Sequence, residues 1–562
     1  MRLHSPFFRY RGALALLLVV ALPLAWSLWG AVAAGLDGPA WSALLQDPQT
    51  GRAWAMALWT GLLSSALAMA ATAWVLAATV GQLHNNTQSH RLTRLIAPLL
   101  AVPHAAFAIG LVALLAPSGW LLRLLSPWAT GLDAPPPWPT TQDPWGLGLI
   151  AVLVLKEIPF LLWTALAHLQ RPDVAQRLRQ ELLLAHTLGY GQSAAWWRVA
   201  WPQLLPRLAA PLLAVLAYSL TVVDVALVIG PTTPPTLAVL AWQWLQDANP
   251  ATNARGAAAA WLLAGTVALC AAIAWALAVA PQWRIRWTRG ATVTTTALRN
   301  RLTFALAPAA LLGVYGLVLA ALLVGSFSGP WPFPALWPQH LSTAAWRAVL
   351  GSGDELWTTL WLALASSGMA LLWTVAWLEL APVRWQRRVQ PWVYLPLALP
   401  AVLWVVGLHR MALAWGIDTQ GTGIWLAHTL ACLPYVLLAL NGPYGGFDPR
   451  LQHVSASLGH GRWTFLWRVK WPLLRTALAA GFAVGFAVSV AQYLPTLYVG
   501  AGRFATVTTE AVNRAAGGQR ALTAAYAWLQ WLLPLLAFAL AAVLGRARRF
   551  GHNGSPTPPP AA

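Results

Sequence analysis

Residues 187–202 read TLGYGQSAAWWRVAWP, and residues 457–472 read SLGHGRWTFLWRVKWP. The same phrase occurs twice, 270 positions apart from Gly189 to Gly459, which is about half of the 562-residue chain. Both copies interrupt an otherwise apolar sequence with a polar, glycine-broken, arginine-bearing turn. At that offset Leu188 matches Leu458, Gly191 matches Gly461, and Trp197-Arg198-Val199 matches Trp467-Arg468-Val469. Trp201-Pro202 matches Trp471-Pro472, and the register continues ungapped through Leu204/Leu474, Leu208/Leu478, Ser219/Ser489 and Gly230/Gly500. A match of that length is an internal repeat. Equivalent halves in the same orientation imply two similar helical bundles related by an axis along a membrane normal.

Composition supplies the membrane. Hydrophobic residues make up 58% of the chain and charged residues 9%, far from the roughly one quarter charged that a soluble domain carries. Long apolar runs recur, near 12–34, 53–80, 95–116, 146–168, 203–230 and 257–280, then 303–325, 356–381, 392–415, 421–441, 474–500 and 522–544. An isolated span in lipid satisfies its backbone only as a helix. The fold class is therefore all-α and polytopic, with about 12 transmembrane helices in two parallel six-helix repeats. Residues 1–283 form the first repeat, 284–301 a basic, threonine-rich linker, 302–549 the second repeat, and 550–562 (ending NGSPTPPPAA) a tail of disordered composition. The proline-rich APPPWPT at 134–140 reads as a stiff, irregular loop.

The formal net charge of +20 would point to nucleic acid in a soluble protein. Here it falls in alternate loops: at Arg9 and Arg11, Arg91 and Arg94, Arg177 and Arg198, Arg284 and Arg286, Arg387 and Arg388, Arg462 and Lys470, and Arg548. Acidic residues such as Asp47, Asp143, Asp247 and Asp418 occupy the others. That bias is an orientation signal, with both termini and the repeated loops in the cytoplasm; no nucleic-acid partner is implied. Thirty-seven tryptophans suit membrane-interface anchoring. Cys270 and Cys432 lie far apart in apolar runs, so neither a disulfide framework nor a metal site is expected.

In each copy of the loop a short helix, near Gln180–Leu188 and Arg450–Leu458, is expected to end at a left-handed glycine. Proline at the next helix start lacks only a donor that would be unpaired anyway. The product is an exposed lever, rigidly continued into a span. Ala185, Leu188, Gly189, Arg198 and Pro202 in the first copy, and Leu458, Gly459, Arg468 and Pro472 in the second, are the candidate docking residues.

At these residues the chain resembles the permease subunits of bacterial ABC importers that work with a binding protein. Their cytoplasmic signature is Glu-Ala-Ala, three residues, Gly, about nine residues, then a hydrophobic residue and Leu-Pro. Ala185, Gly189 and Pro202 fit it, as do Gly459 and Pro472. The signature glutamate falls on Leu183 and His453, and Trp201 and Trp471 replace the leucine before proline. The resemblance spans nearly the whole chain and is greatest to the fused branch associated with ferric iron and thiamine import. VLKEIPFLLW (154–163) and QYLPTLYVGAG (492–502) are similar to a thiamine-type permease. The resemblance implies an inner-membrane permease, two copies of a cytoplasmic ABC ATPase gripping the levers, ATP–Mg held by that partner, and a periplasmic binding protein on the other face.

The residues agree with that division of labour. A phosphate-cradling loop needs Gly-Lys, and the two lysines, Lys156 and Lys470, follow leucine and valine. No catalytic cluster emerges, so the chain reads as a transport subunit and not an enzyme. Lys156 and Glu157 lie mid-span, where charges are costly and face a partner or a wet cavity. Being adjacent, they point to different helix faces and need separate partners. Asp224 lies deep in a later span, opposite Leu494 at the same offset, with Gln492 and Tyr493 nearby. These five are the candidate passage residues. Asp224 either attracts a cationic substrate or makes a hydrogen bond within the bundle. The competing class is an ion-coupled secondary transporter of 12 helices, but its commonest family carries a Gly-Asp-Arg-type turn where this chain has GQLHNNTQSHRLTR (81–94).

Overall fold

The computed structural model describes residues 6–80, 86–279 and 297–545. The arginines at 2, 91 (its side chain), 284, 286, 289, 546, 548 and 549, most of the 284–301 linker and the 550–562 tail lie outside what is described. Among the described residues the chain is all α-helical, with one isolated bridge between Ser328 and Leu341. Among the same residues ten helices are long and apolar enough to cross a membrane. The number is twelve if two bent pairs each count as one span.

The helices fall into two matching series. The first contains α1 (Pro6–Gly35), α2 (Thr50–Val80), α3 (Asn86–Leu100), α4 (His104–Leu115), α5 (Leu147–Leu169), α6 (Pro172–Thr187), α7 (Ala209–Thr221), α8 (Asp224–Ile229), α9 (Leu237–Leu245) and α10 (Pro250–Val279). The second contains α11 (Ala297–Ser326), α12 (Gly353–Leu380), α13 (Val383–Val393), α14 (Ala401–Ala414), α15 (Thr422–Gly445), α16 (Arg450–Ser457), α17 (Arg475–Val490), α18 (Leu494–Gly500), α19 (Val507–Ala515) and α20 (Arg520–Gly545). The 270-residue register holds beyond Gly230/Gly500, since α9 and α19, and α10 and α20, start at equivalent positions. Helix α11 starts at Ala297, within the stretch read from sequence as linker.

Several apolar runs that read as single spans are broken. The run at 95–116 parts into α3 and α4 because Pro103 pushes the residue before it out of the helical region. Pro400 does the same at 392–415, where the pair bends by 99°. The runs at 203–230 and 474–500 break between α7 and α8 and between α17 and α18. There Val223 (φ −110°, ψ −53°) and Tyr493 (φ −102°, ψ −64°) hold nearly the same backbone conformation.

The first helix of each series crosses to the other bundle. α1 packs on α14 and α12, and α11 packs reciprocally on α4 and α2. Small residues make the crossings close. Gly407 on α14 meets the backbone of Ser27 on α1, and Gly110 on α4 meets Val318 on α11. Ser27 Oγ donates to the carbonyl of Trp404 and Trp373 Nε1 to Leu16 O (2.8 Å), while within the first series Trp261 Nε1 on α10 donates to Ala31 O (2.6 Å). On the other crossing, the buried Arg123 guanidinium donates to Trp331 O, Pro332 O and Ala335 O at 2.7–2.9 Å and stacks on Trp331. The halves are thus interlocked, while leucines and tryptophans such as Leu22, Trp29, Trp275 and Leu372 stay exposed along the spans, as lipid-facing surfaces require.

Candidate functional site

The repeated loops share one backbone design. α6 and α16 each end in a pair of bonds that satisfies their last carbonyls. Gly189 N donates to His186 O (3.0 Å) and Tyr190 N to Ala185 O (3.0 Å); Gly459 N donates to Ala456 O (3.0 Å) and His460 N to Ser455 O (3.0 Å). The reversal demands a left-handed residue, and Gly189 (φ +85°) and Gly459 (φ +78°) supply it. The small residues Ala185 and Ser455, at equivalent positions, are both buried beneath the lever, while Leu188 and Leu458 project from its tip at 73% and 69% exposure.

Three details differ from the sequence expectation. α6 runs from Pro172, sixteen residues, whereas α16 has eight. Proline in the first turn and Asp173 beside it are the start signals; the hydrogen bond from Arg171 also draws the Asp173 carboxyl below its ordinary range. The crossing segment is itself helical, so Pro202 and Pro472 are not at a fresh helix start after a loop. Each follows one π-helical turn, Trp196–Ala200 and Leu466–Lys470, closed by Trp201 N to Trp196 O and Trp471 N to Leu466 O. A proline ring presses on the carbonyl four residues back, and the wider turn relieves that contact in both copies. The second elbow then bends by 74° into α17. Arg198 lies over the Tyr190 ring at 5.7 Å; Arg468 is exposed.

The candidate passage residues divide by partner. Lys156 is buried on α5 and donates to Val102 O (2.5 Å) and Leu99 O (3.2 Å), with the Tyr315 ring 5.5 Å away. It therefore satisfies the Val102 carbonyl just beyond the end of α3, a group that would cost about 1–3 kcal/mol if buried unpaired, and shares the Leu99 carbonyl with Val102 N (3.4 Å). Glu157, on the other face of the same turn, pairs with His104 Nε2 at 3.3 Å. Asp224 opens α8 directly after the break, within electrostatic reach of His104 and Tyr218 in its own half and of Tyr493 in the other. Tyr493 sits at the equivalent break, its hydroxyl 3.0 Å from Asn513 Oδ1. The Gln492 carbonyl accepts from Thr496 Oγ1 at 2.8 Å.

His104, Glu379 and His428 carry structural weight that the sequence reading missed. His428 is buried and bridges the second break, with Nδ1 2.8 Å from Ser489 Oγ on α17 and Nε2 2.9 Å from Thr496 Oγ1 on α18. Its signal was a lone imidazole in an apolar span. Glu379 was one carboxylate near the end of another.

Two interlocked helical bundles, each broken within its spans and each bearing an exposed lever continuous with a span, make the frame of a transport permease. The chain is 34% identical over 541 residues, 95% of each sequence, to the inner membrane ABC transporter permease protein YnjC of Escherichia coli (strain K12). It belongs to the inner-membrane ABC transporter permease family. No family model matches it.

Proposed function

We propose that this chain forms the substrate passage of an ATP-driven importer and takes its power from two separate ATPase subunits, one on each lever. The observation that carries this is the pair of levers: the same left-handed glycine, the same π turn and the same exposed leucine, 270 residues apart. Each lever continues into a broken span, so force on its tip reaches the break. The basic face, with both termini, lies in the cytoplasm, and a periplasmic binding protein delivers substrate to the other. The family membership favours this reading over the ion-coupled carrier.

The passage runs between the α7/α8 and α17/α18 breaks, past Asp224, Gln492 and Tyr493, with the Glu157–His104 pair behind. Asp224, whose equivalent in the second half is Leu494, makes the passage asymmetric and favours a cationic substrate. The likeness of 154–163 and 492–502 to thiamine-type permeases makes thiamine and ferric iron the first ligands to try.

The test is purification of the full chain with its partner ATPase and binding protein, followed by uptake in proteoliposomes. Uptake is expected only with the ATPase and ATP; uptake driven by an ion gradient alone would sink the proposal. In the same assay Asp224→Asn is expected to lower uptake of a cation roughly tenfold, the order of one lost charge interaction in a partly enclosed site. Unchanged uptake would remove the cationic reading and leave Asp224 as a bundle residue.

A further inference from the structure

The two levers match in backbone but not in how they are fastened. Glu379 lies one residue from the end of α12. Its Oε1 meets Lys470 Nζ at 2.6 Å and its Oε2 meets Arg462 Nη2 at 3.4 Å. The same Nη2 donates to the Glu379 backbone carbonyl at 2.7 Å. Arg462 opens the second elbow and Lys470 closes its π turn, so one carboxylate holds both ends of the segment. The Lys470 ammonium also lies over the rings of Tyr444 (4.7 Å) and Phe447 (5.6 Å), and Phe447 packs edge-on against Phe465 of the elbow. The three charged side chains are 11–23% exposed, enclosed enough that solvent does not screen them as it screens a surface pair.

The first copy is built from other residues. Gln192 stands where Arg462 does and Ala200 where Lys470 does, and the sequence of α2 holds no carboxylate. Within the first loop, Glu181 on α6 accepts from Gln203 Nε2 on the elbow and pairs with Arg177 at 3.0 Å. The second fastening reaches α12, which packs against α15, α17 and the crossing helix α1.

We propose that Glu379 is the joint through which the second lever moves its bundle: a positioning residue that ties both ends of the elbow to α12, so that the second ATPase site drives the passage through an ionic link whose carboxylate has no counterpart in the sequence of α2. This rests on the proposed docking of ATPase subunits on the levers. Removing the carboxylate alone leaves two neighbouring cations unpaired, which by itself can unfold the region. Glu379→Gln combined with Lys470→Met removes the ionic link and leaves one cation, Arg462, which keeps its hydrogen bond to the backbone carbonyl of residue 379.

The full-length chain with its ATPase, in nanodiscs, is spin-labelled at Asp247→Cys and Gly517→Cys in a background where Cys270 and Cys432 are alanine. These exposed positions are equivalent in the two halves, and the distance between them is measured with and without ATP and vanadate. The distance is expected to shift on trapping in the parent complex. In Glu379→Gln/Lys470→Met the ATPase should stay bound and hydrolyse ATP while the shift is lost. A purely structural role would reduce assembly and hydrolysis together and leave the shift intact in whatever assembles. A full shift in the variant, or none in the parent, overturns the joint. If no ATPase copurifies even with the parent, the docking proposal falls as well.

Discussion

Gly407→Ala should leave little or no folded protein in the membrane. A Cβ there would overlap the Ser27 backbone carbonyl of α1 and lie 2.7 Å from its carbonyl carbon and 2.9 Å from its Cα. All three atoms are backbone, so no rotamer change relieves the overlap; the two helices must separate. Separation would strain the hydrogen bond from Ser27 Oγ to Trp404 O and loosen the packing that holds α1 against the second bundle. Overpacking of a core costs about 1–3 kcal/mol when side chains can shift. Backbone overlap on an interlocking helix belongs above that, near the 4–5 kcal/mol that marks exceptional substitutions and a large share of a total stability of about 5–15 kcal/mol. Gly110→Ala is the comparison. Its new methyl would meet Val318 Cγ1 at 2.6 Å, a side-chain atom, but also Leu322 Cγ and Val318 O at 3.0 Å, so its loss should be smaller. The yield of monodisperse protein and its thermal midpoint in detergent decide the matter. An alanine variant at 407 with the parent midpoint would show that the crossing is not where the halves are locked.

That crossing was in the sequence but out of register. Pro103 and Pro400, each followed seven residues later by Gly-Leu, are 297 apart, whereas the levers are 270 apart. The long irregular segment that separates α4 from α5 in the first half shrinks in the second to the short connection between α14 and α15. A single offset therefore finds the repeat only after the insertion. What composition could report, it reported: lipid as solvent, helices as the only way to satisfy the backbone, and levers marked by glycine and proline. The breaks at 222–223 and 491–493 were invisible to it because a hydropathy window averages over one or two polar residues such as Asp224 and Gln492; only the prolines at 103 and 400 signalled theirs. Partners of the buried charges were hidden for a related reason. Lys156 is held by the carbonyls of Leu99 and Val102, and a carbonyl carries no sequence signature. The pairing of Glu379 with residues 462 and 470 needed the elbow to fold back beside α12, which no local pattern announces.

The lever tips give the largest expected effect on function with the least on folding. Leu188 and Leu458 are 73% and 69% exposed, each on the turn after a glycine-stopped helix, where an isolated leucine in water contributes nothing to the fold. Exchanging an exposed side chain of this kind shifts stability by no more than about 0.5 kcal/mol. A leucine seated in a partner's groove is different, because a charge placed there must be desolvated without a partner. If each tip anchors one ATPase subunit, Leu188→Glu or Leu458→Glu should cost about 2 kcal/mol or more at its own site, the level of an interface hot spot, or roughly 30-fold in affinity. Either single variant is then expected to copurify with the subunit on the opposite lever and lose the one on its own. The double variant should lose both and hydrolyse no ATP, while its thermal midpoint in detergent stays at the parent value. Stoichiometry, not activity, is the discriminating reading: a chain that keeps two ATPase subunits with glutamate at both 188 and 458 would show that the motor grips elsewhere. A drop in midpoint would show that the tips were packed and not offered.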